Sequence, residues 1–119
     1  WREHDFFYLH YKPADSAGED GDFSRKVSML EALDAAIPRL LEMKPDVFIV
    51  AGDHSTPAIL KGHSWHPVPF LLHSRWTGGL GVAGFNERAC RQGALGEFPA
   101  TRVMMQALAH AGKLMKYGA

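Results

Sequence analysis

The sequence predicts an α/β fold, and three observations predict it. Asp5 to Tyr11 is aromatic-rich and almost continuously apolar, the pattern of a buried strand. Apolar residues at helical spacing follow, from Val27 to Leu41. Asp46 to Ala51 is a second apolar run, rich in β-branched residues. Strand, helix, strand is a βαβ unit, with a right-handed crossover and parallel strands. The expected architecture is a parallel sheet with helices packed on it.

Each element has its own signal. Lys12 to Gly21 carries Pro13, Gly18, Gly21 and several acidic residues, and reads as a loop. Asp22 is placed to cap the next helix. On that helix Val27, Leu30, Leu33, Ile37, Leu40 and Leu41 form the apolar side, opposite Arg25, Lys26, Glu31, Asp34 and Arg39. Pro38 is expected to kink the helix or end it early. Gly52 to His66 is a long polar loop. Val68 to His73 is a third strand, and Pro67 and Pro69 favour an edge position for it. Phe85 to Arg91 reads as a short helix ended by Gly93. Thr101 to Lys116 reads as a final amphipathic helix buried through Val103, Met104, Leu108 and Leu114.

Composition narrows the function. Thirteen Lys plus Arg balance thirteen Asp plus Glu, so the formal net charge is zero. That leaves no electrostatic footprint for nucleic acid or an anionic membrane, and neither is expected as a partner. No apolar run reaches the roughly 18 residues that span a bilayer. The residues from Trp1 to Asp5 lack a signal-peptide layout. The single cysteine, Cys90, excludes an internal disulfide and fits a reducing cytoplasm, the expected location. Arg88 and Arg91 lie near Cys90, but no paired base is evident, so it reads as structural. There is no GxGxxG, P-loop, GxSxG or CxxC motif. The 119 residues allow one domain. The first residue is Trp rather than Met, and a strand pattern begins by Asp5. The sequence is therefore expected to be a portion of a longer chain.

In parallel α/β sheets, ligands collect outside the carboxyl ends of the strands. The two most polar loops both leave such ends. After the first strand come His10, Lys12, Asp15, Glu19, Asp20 and Asp22; after the second come Asp53, His54, His63 and His66. Mixed Asp, Glu and His sets suit Zn²⁺ or Mn²⁺. Enough donors are present to contribute to two ions, the usual clamp for phosphate-ester chemistry. Plainer readings stand beside this one. Asp20 and Asp22 read as carboxylates offsetting a helix dipole. His10 reads as a bonded residue of the core or of a site's surroundings. His4, His66, His73 and His110 carry no pattern. Asp53-His54 leaves a buried strand directly, and ligand and plain rim pair are equally open readings.

The stretch from Leu9 to Phe23 (LHYKPADSAGEDGDF), with Gly52-Asp53-His54-Ser55-Thr56-Pro57 and His63-Ser64-Trp65-His66-Pro67-Val68-Pro69, resembles the archaeal-type cofactor-independent phosphoglycerate mutases of the alkaline phosphatase superfamily. Phe85 to Gly96 is similar to the family's closing segment. The resemblance implies an alkaline-phosphatase-like core fragment. Residues 1–119 would be one C-terminal metal-binding portion of a larger catalytic domain whose N-terminal part lies elsewhere. It also implies two divalent metal ions (Mn²⁺, Mg²⁺ or Zn²⁺) and no requirement for 2,3-bisphosphoglycerate. Asp53 and His54 match the pair holding one ion, and Asp15 and His63 match ligands of the other. Lys12 matches a catalytic basic residue beside the substrate phosphate or carboxylate. Where the family motif Asp-x-x-Gly-His ends in His, this sequence has Glu19, and a carboxylate can replace imidazole with a harder metal preference.

The implied reaction interconverts 2-phosphoglycerate and 3-phosphoglycerate, in glycolysis and gluconeogenesis, through a phosphoserine whose serine lies outside this chain. The implied partners are a small phosphorylated substrate and the N-terminal part of the same protein. Two alternatives stay open. One is a metal-dependent phosphatase or phosphonate hydrolase of the same superfamily; the other is a non-catalytic metal-binding or interaction fragment.

Overall fold

A computed structural model describes residues 3–79 and 81–114. The elements are α1 (Pro13–Glu19), α2 (Phe23–Leu41), β1 (Val47–Ala51), β2 (Phe70–Ser74), α3 (Glu87–Cys90) and α4 (Val103–His110), with a 3₁₀ turn at Ala100–Arg102. Helices and a small sheet make this an α/β chain, as expected. It divides into two compact units, Trp1–Pro38 with Thr56–Ser64, and Arg39–Ser55 with Trp65–Ala119.

In the first unit, Asp5 to Tyr11 forms no strand. A strand needs a neighbouring edge for its N–H and C=O groups, and the described residues offer this segment none. Its side chains are exposed, with Phe6 at 60%, Tyr8 at 74% and Leu9 at 71%. His10 is exposed too, not a core residue. The segment is tied down at its end, where the Tyr11 hydroxyl donates to the Met29 carbonyl of α2 at 2.9 Å.

The expected loop at Lys12 to Gly21 is largely helix α1. Two of its apparent breakers, Pro13 and Gly21, sit where a helix accepts them. Pro13 occupies the first helical turn, where a missing N–H costs nothing. Gly21 lies past the end with φ +74. There its N–H donates to the Gly18 carbonyl and the Asp22 N–H reaches back to that of Ala17, each at 3.0 Å. This pair of bonds closes a helix on a left-handed residue. Asp22 then caps α2 as expected, its carboxylate accepting from the Arg25 N–H at 2.9 Å. Asp20 pairs with the Arg25 guanidinium at 2.9 Å. Helix α2 continues to Leu41 through Pro38, so the proline does not end it. No residue of α2 is fully buried. Leu33, Ile37 and Leu40 are half-buried, while Leu30 and Leu41 are exposed.

In the second unit β1 and β2 pair antiparallel, with Val47 opposite Ser74 and Ala51 opposite Phe70. This is the sheet's only strand pair among the described residues, so the expected parallel βαβ pairing is not formed there. Helix α4 packs against β1, and Phe70 meets Phe98 edge-on with ring centroids 5.1 Å apart. Helix α4 is shorter than expected. The part of the expected helix beyond Leu114 lies outside the described residues. Its half-buried side runs through Val103, Gln106, Ala107 and His110 rather than through Met104 and Leu108. His110 turns this face inward, since its Nδ1 lies 2.7 Å from the buried Ser74 hydroxyl of β2. Helix α3 starts at Asn86, whose side chain accepts from the Ala89 N–H at 2.9 Å.

Candidate metal centre

Helix α1 sets the geometry of the first donor group. Asp15 and Glu19 are four residues apart, so the helix stacks their carboxylates on one face. The loop after Thr56 brings a third donor to them. The Pro57 carbonyl accepts from the N–H groups of Leu60 and Lys61, at 2.9 and 3.2 Å, reversing the chain. Lys61 takes φ +49 to complete the turn. Its stem lies over Gly21, where any added Cβ would overlap it. Two residues later, His63 Nε2 lies 3.7 Å from Asp15 Oδ1 and 3.5 Å from Glu19 Oε1.

Those separations are longer than an N–H···O hydrogen bond of about 2.9 Å. Two donors bound at about 2.1 Å to one tetrahedral ion lie about 3.4 Å apart. The nitrogen and oxygens are thus spaced as ligands across a shared cation are spaced. Asp15 is only 19% exposed, whereas Glu19 and His63 are about half exposed. Asp15 therefore anchors the group and the other two complete it from the solvent side. Among the described residues, Asp15 and His63 belong to a set of possible metal donors with ligand atoms within 4.8 Å.

Lys12 sits at the start of α1, with its ammonium 3.3 Å from Asp15 Oδ2. Being 64% exposed, it holds that carboxylate only loosely. It remains available to an anion arriving from solvent.

Asp53 and His54 follow β1 after a single glycine, in the second unit. Gly52 approaches Val68 closely, and a Cβ there would stand 3.2 Å from the Val68 side chain. His54 Nε2 lies 3.6 Å from Asp53 Oδ2, and the His54 N–H donates to Asp53 Oδ1 at 3.2 Å. This second carboxylate–imidazole pair has the same spacing as the first. Within the first unit Asp15, Glu19 and His63 lie together with Lys12 beside them, and within the second Asp53 lies beside His54. Each group's nitrogen and oxygen donors fit a divalent cation by type and by spacing.

Sequence reasoning missed Thr56. It is 5% exposed, and its hydroxyl donates to Asp15 Oδ1 at 2.6 Å. The resemblance quotes Thr56 within a motif but gives it no role, and a threonine in a polar loop has no periodic signal, so only the fold reveals its contact with Asp15. Gly18 and Lys26 were missed as well, and both touch Thr56. Elsewhere, His66 stacks on Trp65 at 4.8 Å, and Cys90 is a half-buried free thiol.

The family model of the Metalloenzyme superfamily matches residues 1–110. A protein of Aquifex aeolicus named "Probable 2,3-bisphosphoglycerate-independent phosphoglycerate mutase" is 53% identical over 119 residues, all of this chain and 29% of that protein. Proteins of the same name from Thermotoga maritima and Thermus thermophilus are 54% and 50% identical, again over all of this chain. The chain thus spans about 30% of the length of these curated relatives. The solved structure of the PH0037 protein from Pyrococcus horikoshii superimposes with a TM-score of 0.91 at 30% identity. The match covers 99% of this chain and 37% of that one.

Proposed function

The chain belongs to the Metalloenzyme superfamily, and from that premise we propose that it is the metal-binding portion of a phosphoglycerate mutase that needs no 2,3-bisphosphoglycerate. The observation that carries this reading is the placement of His63 Nε2 at 3.7 and 3.5 Å from the Asp15 and Glu19 carboxylates. The name of the relatives supplies the reaction: 2-phosphoglycerate and 3-phosphoglycerate are interconverted by moving one phosphoryl group between neighbouring hydroxyls.

In this reading Asp15, Glu19 and His63 hold one divalent cation, and Asp53 and His54 contribute to a second. Such cations, when bound, neutralise phosphate charge and lower the pKa of a hydroxyl nucleophile. The chain's own residues do the rest. Three negative or neutral donors concentrate beside one face of α1, and Lys12 adds a positive charge where the substrate phosphate or carboxylate arrives. Glu19 supplies a hard oxygen donor, which favours Mn²⁺ or Mg²⁺ over Zn²⁺ at that position. The serine that takes the phosphoryl group lies outside residues 1–119. The remainder of the longer protein supplies that serine and covers the exposed Phe6, Tyr8 and Leu9. The proposed setting is cytoplasmic glycolysis and gluconeogenesis. No helix among the described residues is long and apolar enough to cross a membrane.

The test uses the full-length protein, stripped of metal and then reloaded with Mn²⁺, with 3-phosphoglycerate followed by phosphorus NMR. Appearance of 2-phosphoglycerate without added 2,3-bisphosphoglycerate, and only after reloading, is expected. Release of inorganic phosphate instead identifies a phosphatase of the same superfamily. No turnover of either kind identifies a non-catalytic metal-binding chain.

A further inference from the structure

We propose that Thr56 is a positioning residue for the Asp15 carboxylate, and that Lys26 and Gly18 fix Thr56 in place. This rests on reading Asp15 as a metal ligand. Thr56 is one of the few buried polar residues among those described, at 5% exposure. A buried hydroxyl needs a hydrogen-bond partner, and this one donates to Asp15 Oδ1 at 2.6 Å. That is the length of a strong O–H bond to a charged carboxylate, about 2.5–2.7 Å. Asp15 Oδ2 is met by Lys12 at 3.3 Å, so both oxygens have a donor.

The two donors are unequal. Lys12 is a long, exposed side chain. Thr56 is buried and β-branched, so its χ1 is stiff. It is therefore Thr56 that sets the plane of the carboxylate. A carboxylate oxygen has two lone-pair sites, and the hydroxyl engages one of them on Oδ1. His63 Nε2 lies 3.7 Å from the same oxygen. Orienting a ligand in this way is what outer hydrogen bonds do in metal sites.

Thr56 is itself held from two helices. Lys26 of α2 donates from its ammonium to the Thr56 carbonyl oxygen. Gly18 of α1 is buried directly against that oxygen. A Cβ at position 18 would overlap the carbonyl and stand 2.9 Å from Lys26 Nζ and 3.0 Å from Thr56 Cγ2. Only a residue without a side chain lets α1 come this close. The same helix carries Asp15, one turn earlier, so the arrangement closes on itself: α1 offers the ligand and also the floor under the residue that orients it.

The experiment titrates the metal-stripped full-length protein with Mn²⁺, following free Mn²⁺ by electron paramagnetic resonance, with thermal unfolding recorded for each variant. Thr56→Val keeps the shape and removes the donor. Its Mn²⁺ affinity is expected to fall about 10–100-fold. Thr56→Ser keeps the donor and loses the methyl group, and wild-type affinity is expected. A purely structural role predicts the reverse order, because the methyl group is what packs against Gly18. Lys26→Met is expected to weaken Mn²⁺ binding in the same direction as Thr56→Val.

Asp15→Asn separates two failures. If it leaves Mn²⁺ binding intact, the metal reading falls and the role of Thr56 falls with it. If it abolishes binding at one site while Thr56→Val binds as wild type, the role of Thr56 alone is overturned. Should Thr56→Val not fold, Lys26→Met decides. Reduced affinity supports the arrangement, and unchanged affinity overturns it.

Discussion

At the scale of the residue, the spacing of Asp15 and Glu19 does most to make the site. Four positions on a helix are one turn, and one imidazole from the loop after Thr56 lies within 3.7 Å of both carboxylates. Both donor types were legible in the sequence as carboxylates and imidazoles gathered in two polar stretches, and the family resemblance singled out Asp15 and His63 among them. Their common face was not legible, because Lys12 to Gly21 reads as a loop and a loop has no faces. Glu19 is the residue whose chemistry most distinguishes this group. An oxygen donor there favours hard cations, and an imidazole favours Zn²⁺. Glu19→His in the full-length protein is therefore expected to raise Zn²⁺ affinity relative to Mn²⁺, measured by competition between the two ions. An unchanged ratio means that Glu19 does not reach the cation.

At the scale of the element, the hinge between α1 and α2 decides where these side chains end up. Gly21 closes α1 at φ +74, and Asp22 opens α2 through its bond to the Arg25 N–H. Asp22→Ala removes that cap and is expected to cost about 1 kcal/mol of stability, read by denaturant unfolding. It should leave Mn²⁺ binding unchanged, since Asp22 is a cap and not a ligand. A loss of metal with stability intact would move Asp22 into the site. The cap was readable from sequence because Asp before a helical pattern has one dominant use. The helix before it was not, because Pro13 and Gly21 are breakers only inside a helix, and here they stand at its start and past its end. Strand β1 was readable from its β-branched run. Its partner β2 was readable too, but the antiparallel pairing of the two follows from tertiary contacts that a single strand pattern does not encode.

At the scale of the molecule, the described residues bury one hydrophobic side chain fully, that of Ala17. Residues with strong burial signals in the sequence lie exposed instead, among them Phe6, Tyr8 and Leu9 of the expected first strand. The aromatic run was a sound reading of a strand, but a strand forms only against another edge. None of the described residues supplies that edge, and the relatives are about three times longer than this match. Exposed apolar surface of this extent marks a surface that meets another. What this chain does carry is a pair of donor groups, each with an imidazole nitrogen 3.5–3.7 Å from a carboxylate oxygen. The most direct measurement is an anomalous difference map from crystals of the full-length protein grown with Mn²⁺. Two peaks are expected, one bonded to Asp15 and His63 at about 2.0–2.3 Å and one bonded to Asp53 and His54 at similar distances. A map with Mn²⁺ bound elsewhere, or with no density beside either group, would contradict the assignment.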